Sequence, residues 1–341
     1  MKYLAFLILF TIAGFTSNAK IWRINNTPGV SADFISPQAA VSSSSVVNGD
    51  TLYIEGSAIN YSGFTLDKRL VIIGTGYFLT GLNGNTGLQA NPYTSNFASG
   101  AVFFDSTASG SVFMGLDDVF FAVGPDFGSA TDNITITRCY INTLSQYYGY
   151  TANTSMDGWK INKCYISNVA LGPLVIKNWE LTNNIVIGNF DISNTAGFNN
   201  LIRNNVFRSG ITIYSAYFSN NTITAATFST INVTVKNNIS TGANLPVGNG
   251  NINNSTDGAL FQGAAGNSTD GQWRLKVGSP ALGAGETIAT ITPDCGAYGT
   301  ADPYRLSGIP AIPTIYSLTV PASVPSNATT MPITISTKSN N

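Results

Sequence analysis

Ile134-Thr-Ile136-Thr-Arg-Cys139-Tyr-Ile141 is the first of six copies of one short pattern, apolar-x-apolar-x-x-(Cys or Asn)-x-x. The second is Trp159-Lys-Ile161-Asn-Lys-Cys164-Tyr-Ile166, and the third is Trp179-Glu-Leu181-Thr-Asn-Asn184-Ile-Val186. Asn200-Leu-Ile202-Arg-Asn-Asn205-Val-Phe207, Ala216-Tyr-Phe218-Ser-Asn-Asn221-Thr-Ile223 and Val233-Thr-Val235-Lys-Asn-Asn238-Ile-Ser240 complete the set. The Cys/Asn position advances by 25, 20, 21, 16 and 17 residues. Period-2 alternation makes each copy a strand. No copy is long enough to bury an apolar face alone, so the copies must stack on one another. A strand that returns after 16 to 25 residues, with turns between, describes a parallel β-helix.

Stacked coils place equivalent residues about 4.8 Å apart. An inward Asn at each bend then has an amide above and below it to bond, as side-chain ladders do in cross-β stacks. Such pairing offsets the cost of burying the group. Cys139 and Cys164 occupy the same file as small, weakly polar substitutes, in adjacent coils. They are close enough for a disulfide or for two buried thiols, and Cys295 stands alone.

The chain has 341 residues, of which 43% are hydrophobic and only 10% charged. Ordinary domains carry about 25% charged residues. A solenoid that meets water with Thr, Ser and Asn accounts for the difference. The net charge is −1, without a cluster of Lys or Arg, which excludes nucleic acid and anionic membrane as expected partners. There is no histidine, so the commonest general base and metal ligand is missing.

Residues 1–19 read as a signal peptide: Lys2, an apolar run from Leu4 to Phe15, then Ser17-Asn18-Ala19 before Lys20. The run is too short to span a membrane, and no later segment supplies a span. The expected location is therefore secreted, extracellular or at the cell surface. Ser31 is expected to cap a short helix over Ala32–Val41 that covers the open end of the solenoid. Residues 301–341 contain Pro303, Pro310, Pro313, Pro321, Pro325 and Pro332 and read as an extended tail. That tail is expected to carry one or two strands along the solenoid, to offer an edge strand to a protein partner, or to be a flexible linker end.

Asp33-Phe34, Gln38-Ala39-Ala40-Val41 and Gly49-Asp50-Thr51-Leu52-Tyr53-Ile54 resemble the opening of secreted right-handed β-helix proteins of the pectin-lyase-like superfamily. Leu70-Val71-Ile72-Ile73-Gly74-Thr75-Gly76-Tyr77 is similar to their next coil. Asp257–Phe261, Trp273–Leu275, Ser279–Gly285 and Asp294–Tyr298 resemble their closing coils. The resemblance implies an all-β, right-handed parallel β-helix over about residues 20–300, with roughly a dozen coils. It matches no specific enzyme family, and the superfamily contains lyases, hydrolases, adhesins and non-catalytic proteins. Its lyases use an Arg or Lys base with calcium held by acidic residues; its hydrolases use grouped Asp residues. Neither set is complete in this chain, where Asp117-Asp118 is the only adjacent acidic pair.

Three groups remain as candidates. Arg203, Ser219 and Lys236 share an outward file with Asn162 and Thr182, and the two cations lie roughly 10 Å apart, suited to an acidic sugar. The longest step carries Tyr147-Tyr148-Gly149-Tyr150, whose rings suit stacking on sugars. Asn254-Ser-Thr-Asp257-Gly258 and Asn267-Ser-Thr-Asp270-Gly271 are turns, with too few carboxylates for a good calcium site, so no cofactor is expected. Lys160 and Glu180 share a file as an ion pair, and Trp159 and Trp179 stack in the core. The expected function is an exported, non-catalytic protein that contacts polysaccharide through Tyr147, Tyr148, Tyr150, Arg203 and Lys236. The alternatives are a polysaccharide lyase with Arg203 or Lys236 as base, and a spacer or adhesin that binds protein through residues 301–341.

Overall fold

The computed structural model describes residues 19–340 except 82, 99, 124–129, 147–154, 173, 194–198 and 225–226. The signal-peptide reading falls almost wholly outside them. Among the described residues no helix is long and apolar enough to cross a membrane.

Alternating residues generate one long parallel sheet of ten strands, from Ile21–Ile24 to Thr234–Lys236. Its inward file runs Leu52, Ile72, Phe113, Ile136, Ile161, Leu181, Ile202, Phe218 and Val235, all in register and all buried. Ten strands replace the roughly dozen coils expected. The shortfall lies at the C-terminal end, where residues 257–309 add no strand to either sheet.

The opposite face is a second parallel sheet that begins with Phe64–Leu66, Ala101–Phe104 and Val119–Val123. Tyr140–Gln146 pairs along its first half with Tyr165–Ile166 and along its second half with Val169–Ala170. From there the face continues as two files of short strands separated by a bend. Gly188 lies at that bend in the next coil, where a Cβ would come within 1.8 Å of the Ser167 carbonyl oxygen, so no larger residue fits. Trp159 and Trp179 stack in the core at 4.9 Å with 7° between their planes.

The corners follow from the paired asparagines. In 183–184, 204–205, 220–221 and 237–238 the first Asn takes left-handed backbone, with φ of 57, 55, 58 and 53°. Arg138 and Lys163 occupy the equivalent corner at 54 and 56°. Asn tolerates this region better than other residues with a Cβ, because its short amide bonds the local backbone. The second Asn of each pair points inward. Asn184 Nδ2 donates to Asn205 Oδ1 at 3.0 Å, Asn205 to Asn221 at 3.0 Å, Asn221 to Asn238 at 3.0 Å and Asn238 to Asn251 at 3.2 Å. The other N–H of each amide donates to a strand carbonyl, from Asn184 to Ile161 and from Asn221 to Ile202. Each Oδ1 also accepts the backbone N–H of the preceding coil, as Asn205 Oδ1 does from Asn184 N at 2.9 Å. Every amide atom in this file therefore has a partner.

Cys139 and Cys164 extend the file, with Cys139 N donating to Cys164 Sγ at 3.5 Å. Both are free, buried thiols, and so is Cys295. Burial pushes the Cys139 and Cys295 thiols up to about 12, and that of Cys164 up as well.

The capping helix is shorter than expected. It spans Pro37–Ser42, with Ser36 rather than Ser31 as its cap. Proline disfavours helical backbone in the residue before it, so Pro37 fixes the first helical position. Phe34 precedes the helix as a bridge partner of Ile24 and packs on Trp22 at 5.5 Å.

Residues 281–311 run back over the corners in reverse coil order. Asn237 Nδ2 donates to Ala284 O, Asn204 Nδ2 to Asp294 O and Asn183 Nδ2 to Ala297 O. Lys163 pairs with Asp302, Arg138 Nη1 donates to Ile309 O, and Ala311 N reaches Met114 Sδ. This return strap uses the same corner residues that turn the chain. The segments that resemble closing coils instead cover the side of the solenoid. Beyond the strap, Thr314–Thr319 and Thr334–Lys338 form an antiparallel hairpin.

Asn221→Ala should lower stability by about 3 kcal/mol in urea unfolding, because it strips partners from Asn205, Asn238 and the Ile202 carbonyl. Asn251→Ala, at the half-exposed end of the file, should lose less than half as much; equal losses would contradict the accounting. At pH 8 a thiol reagent should label all three cysteines in urea and none in the native protein, since all three are buried and the thiolate is the reactive form.

Candidate functional site

Arg203 and Lys236 extend outward from the long sheet, two coils apart, with Ser219 between them. The strap brings a carboxylate to both. Lys236 Nζ lies 2.7 Å from Glu286 Oε1, and Arg203 Nη2 lies 3.7 Å from Glu286 Oε2. Tyr217, from the neighbouring outward file, donates its hydroxyl to Glu286 Oε2 at 2.7 Å. Glu286 is aimed by a corner residue: its backbone N–H donates to Asn220 Oδ1 at 2.7 Å. A small hairpin bridged by Ile288 and Ile291 begins just beyond it.

The electrostatics follow. Partial burial works to raise the Glu286 pKa, but hydrogen bonds from Lys236 and Tyr217, with the charges of Lys236 and Arg203, hold it below the usual carboxylate value. The hydrogen bond and charge of Glu286 raise the pKa of Lys236. The Tyr217 phenol is raised by burial first and then by Glu286. Ser219 is fully buried, and its Oγ and the Nε of Arg203 have no hydrogen-bond partner. The patch thus holds two cations, one carboxylate, a half-buried phenol and two polar atoms with unused bonding capacity.

A second concavity, of about 370 Å³, is lined by Ser57, Asn60, Phe78, Tyr93 and Asp117. Asp117 is only 8% exposed and accepts from Thr94 Oγ1 at 2.5 Å and Asn96 Nδ2 at 3.2 Å. Burial raises its carboxyl pKa despite those bonds. Asp118 turns away through left-handed backbone and accepts from Asn142 Nδ2. Among the described residues no group of three acidic or Cys side chains is placed to hold a metal. The Asp117 carboxyl, hydrogen-bonded to Thr94 and Asn96, ties residues 94–96 to the solenoid.

The sequence candidates are therefore divided. Tyr147, Tyr148 and Tyr150 lie outside the described residues. The strands on either side of them, Tyr140–Gln146 and Ser155–Asp157, belong to other sheets than the one that carries Arg203 and Lys236. Lys160 and Glu180 pair at 3.2 Å on the exposed surface, a contact worth under about 1 kcal/mol. The two turn repeats part company: Asp257 pairs with Arg208, whereas Asp270 is buried and accepts from Ser307 N and the Tyr304 hydroxyl. Glu286 is the residue that sequence reading missed. It lies outside the repeat and 50 residues from Lys236, so periodicity cannot assign it to a file. One signal existed: the chain has only three glutamates, Glu55, Glu180 and Glu286, and each faces a cation on this sheet.

No family model and no curated protein sequence matches this chain. Among solved structures, the chain is similar to a crystal structure of pectate lyase Pel9A at 15% identity and a TM-score of 0.35. That match covers 82% of this chain and 96% of the other. The architecture described above is an all-β parallel solenoid.

Glu286 has a depressed folded-state pKa, so its contribution to stability is present above its unfolded pKa and is lost as pH falls through the folded value. The stability difference between wild type and Glu286→Gln should hold steady near neutral pH and shrink below about pH 4.5. Denaturant unfolding at several pH values measures it; a difference that grows with acid would refute the pairing.

Proposed function

We propose that this is an exported β-helix protein that contacts an acidic polysaccharide on the outward face of its long sheet without cleaving it. The observation that carries this reading is the patch of Arg203, Tyr217, Lys236 and Glu286, with its excess of positive charge on a face that repeats coil after coil. Such a face suits a polymer, because successive coils offer polar groups at the interstrand spacing. The phenol ring offers a stacking surface and the cations offer charge-assisted bonds to carboxylates. Export is supported by Lys2, the Leu4–Phe15 run and the Ser17-Asn18-Ala19 site.

The non-catalytic part of the reading follows from the Lys236 environment. A lysine that abstracts a proton must first be neutral, which requires a lowered pKa. Glu286 does the opposite to Lys236. Arg203 bears the same carboxylate nearby and is charged under all ordinary conditions.

A second reading, a protein partner held by residues 301–341, is favoured by one feature. The terminal hairpin leaves Ile315, Leu318, Ile333 and Ile335 exposed.

Affinity electrophoresis in gels with acidic or neutral polysaccharides separates these readings. The wild-type protein should be retarded by acidic polymers alone, and Tyr217→Ala/Lys236→Gln should weaken that retardation at least about 10-fold. Deletion of 313–341 should leave it unchanged. No retardation by any acidic polymer sinks the proposal, as does an absorbance signal for unsaturated uronate products that both Arg203→Ala and Lys236→Ala abolish.

A further inference from the structure

Where the strap crosses the Arg138 corner it borders a further, open cavity of about 450 Å³, away from the Glu286 patch. Arg138, Arg274, Arg305 and Lys338 all line it, from the solenoid, the segment before the strap, the strap and the terminal hairpin respectively. Among the described residues none of these four takes part in an ion pair. The nearest acidic groups are engaged elsewhere. Asp302 pairs with Lys163, and Asp270 is buried behind Tyr304, where Ser307, Asn85 and Ser268 donate to it.

Arg138 is the unusual member. Its residue is only 7% exposed, and its Nη1 donates to two backbone carbonyls, Ile309 at 2.8 Å and Asn340 at 3.5 Å. A buried guanidinium with carbonyls and no carboxylate is poorly compensated. Burial, and next the charge of Arg305, depress its pKa, and the charge of Asp302, paired with Lys163, opposes them only in part. It also holds left-handed backbone at φ 54°, in a corner file where four later coils carry Asn. That conformation costs an Arg about 1 kcal/mol or more. Its position is nonetheless fixed: Gly308 packs so tightly that a Cβ there would come within 2.2 Å of the Arg138 carbonyl oxygen. Arg274 lies over the Tyr298 ring at 5.7 Å, and both residues line the cavity.

We infer that this cavity is a binding site for an oxyanion, a carboxylate or sulfate group, held by the Arg138, Arg274 and Arg305 guanidiniums with Lys338 at its rim. Planar guanidiniums bond the paired oxygens of such groups with two parallel N–H donors each. An anion here supplies the counter-charge that the fold omits, and it joins solenoid, strap and hairpin in one contact. The site is independent of the Glu286 patch.

The test titrates the full-length protein with sodium sulfate against sodium chloride at constant ionic strength, by calorimetry and thermal unfolding. Sulfate should bind saturably and raise Tm. Arg274→Gln/Arg305→Gln, at two exposed positions, should keep the sulfate-free Tm and lose at least about 10-fold in affinity. Arg138→Gln should lose more; if that variant fails to fold, the double variant decides alone. Lys236→Gln/Tyr217→Ala should bind sulfate as wild type does, which separates failure of this site from failure of the polysaccharide face. Absence of saturable binding up to roughly 10 mM, or unchanged affinity in the double variant, overturns the proposal. Sulfated dextran oligomers that compete with sulfate, where neutral dextran does not, identify a glycan-borne group as the source. Without competition the source is a free small anion.

Discussion

A primary amide in a protein interior has two donors and an acceptor, and each one left unpaired costs on the order of 1–3 kcal/mol. The amide file from Asn184 to Asn251 meets that demand only if every coil presents its Asn at the same place. Coil spacing, corner geometry and strand register are thereby tied to one another. Hydrophobic packing alone is more permissive, since a Leu-for-Phe exchange along the inward file changes volume but not register. The amides forbid slippage. A shift of one residue toward the C-terminus would place Ile185, Val206, Thr222 and Ile239 in the file instead of the amides.

The corner residues serve both the interior and the exterior. Left-handed backbone at 183, 204, 220 and 237 sends one Asn in and the other out. The outward one then becomes the hydrogen-bond partner of the strap. Where the outward residue is a cation, at 138 and 163, the strap answers with a carbonyl or a carboxylate. The two regions with the most unusual electrostatics, around Glu286 and around Arg138, both lie where the strap meets the solenoid. A bare solenoid with these strands would have neither.

The strands, the inward file and the tryptophan stack were legible in the sequence because each depends on residues a fixed step apart. The corner conformation was half visible: the paired asparagines stand out, but Arg138 and Lys163 take the same backbone without the same residue type. The helix boundary moved because Ser31 and Ser36 are both acceptable caps, and only the position of Pro37 distinguishes them. The strap was not visible. Its contacts with the corners and the long sheet join residues 47 to 197 positions apart, and a segment such as Asp294–Tyr298 reads the same whether it forms a coil or crosses one. Glu286 was lost with it. Arg203 and Lys236 were correctly set in one file, yet their chemistry is decided by a residue that the file does not contain.

A stack in which each coil touches only its neighbours comes apart from its ends inward, one layer at a time. The strap changes the order of events. Residues made later bond coils made much earlier, so the corners from Asn237 back to Arg138 wait uncovered until Ala284–Ile309 has emerged. Once it is down, the coil at Arg138 cannot loosen without lifting a segment that also grips the coil at Asn237. The finished molecule gains resistance to fraying and to proteases that need a loosened end. It acquires that resistance only once the strap is in place.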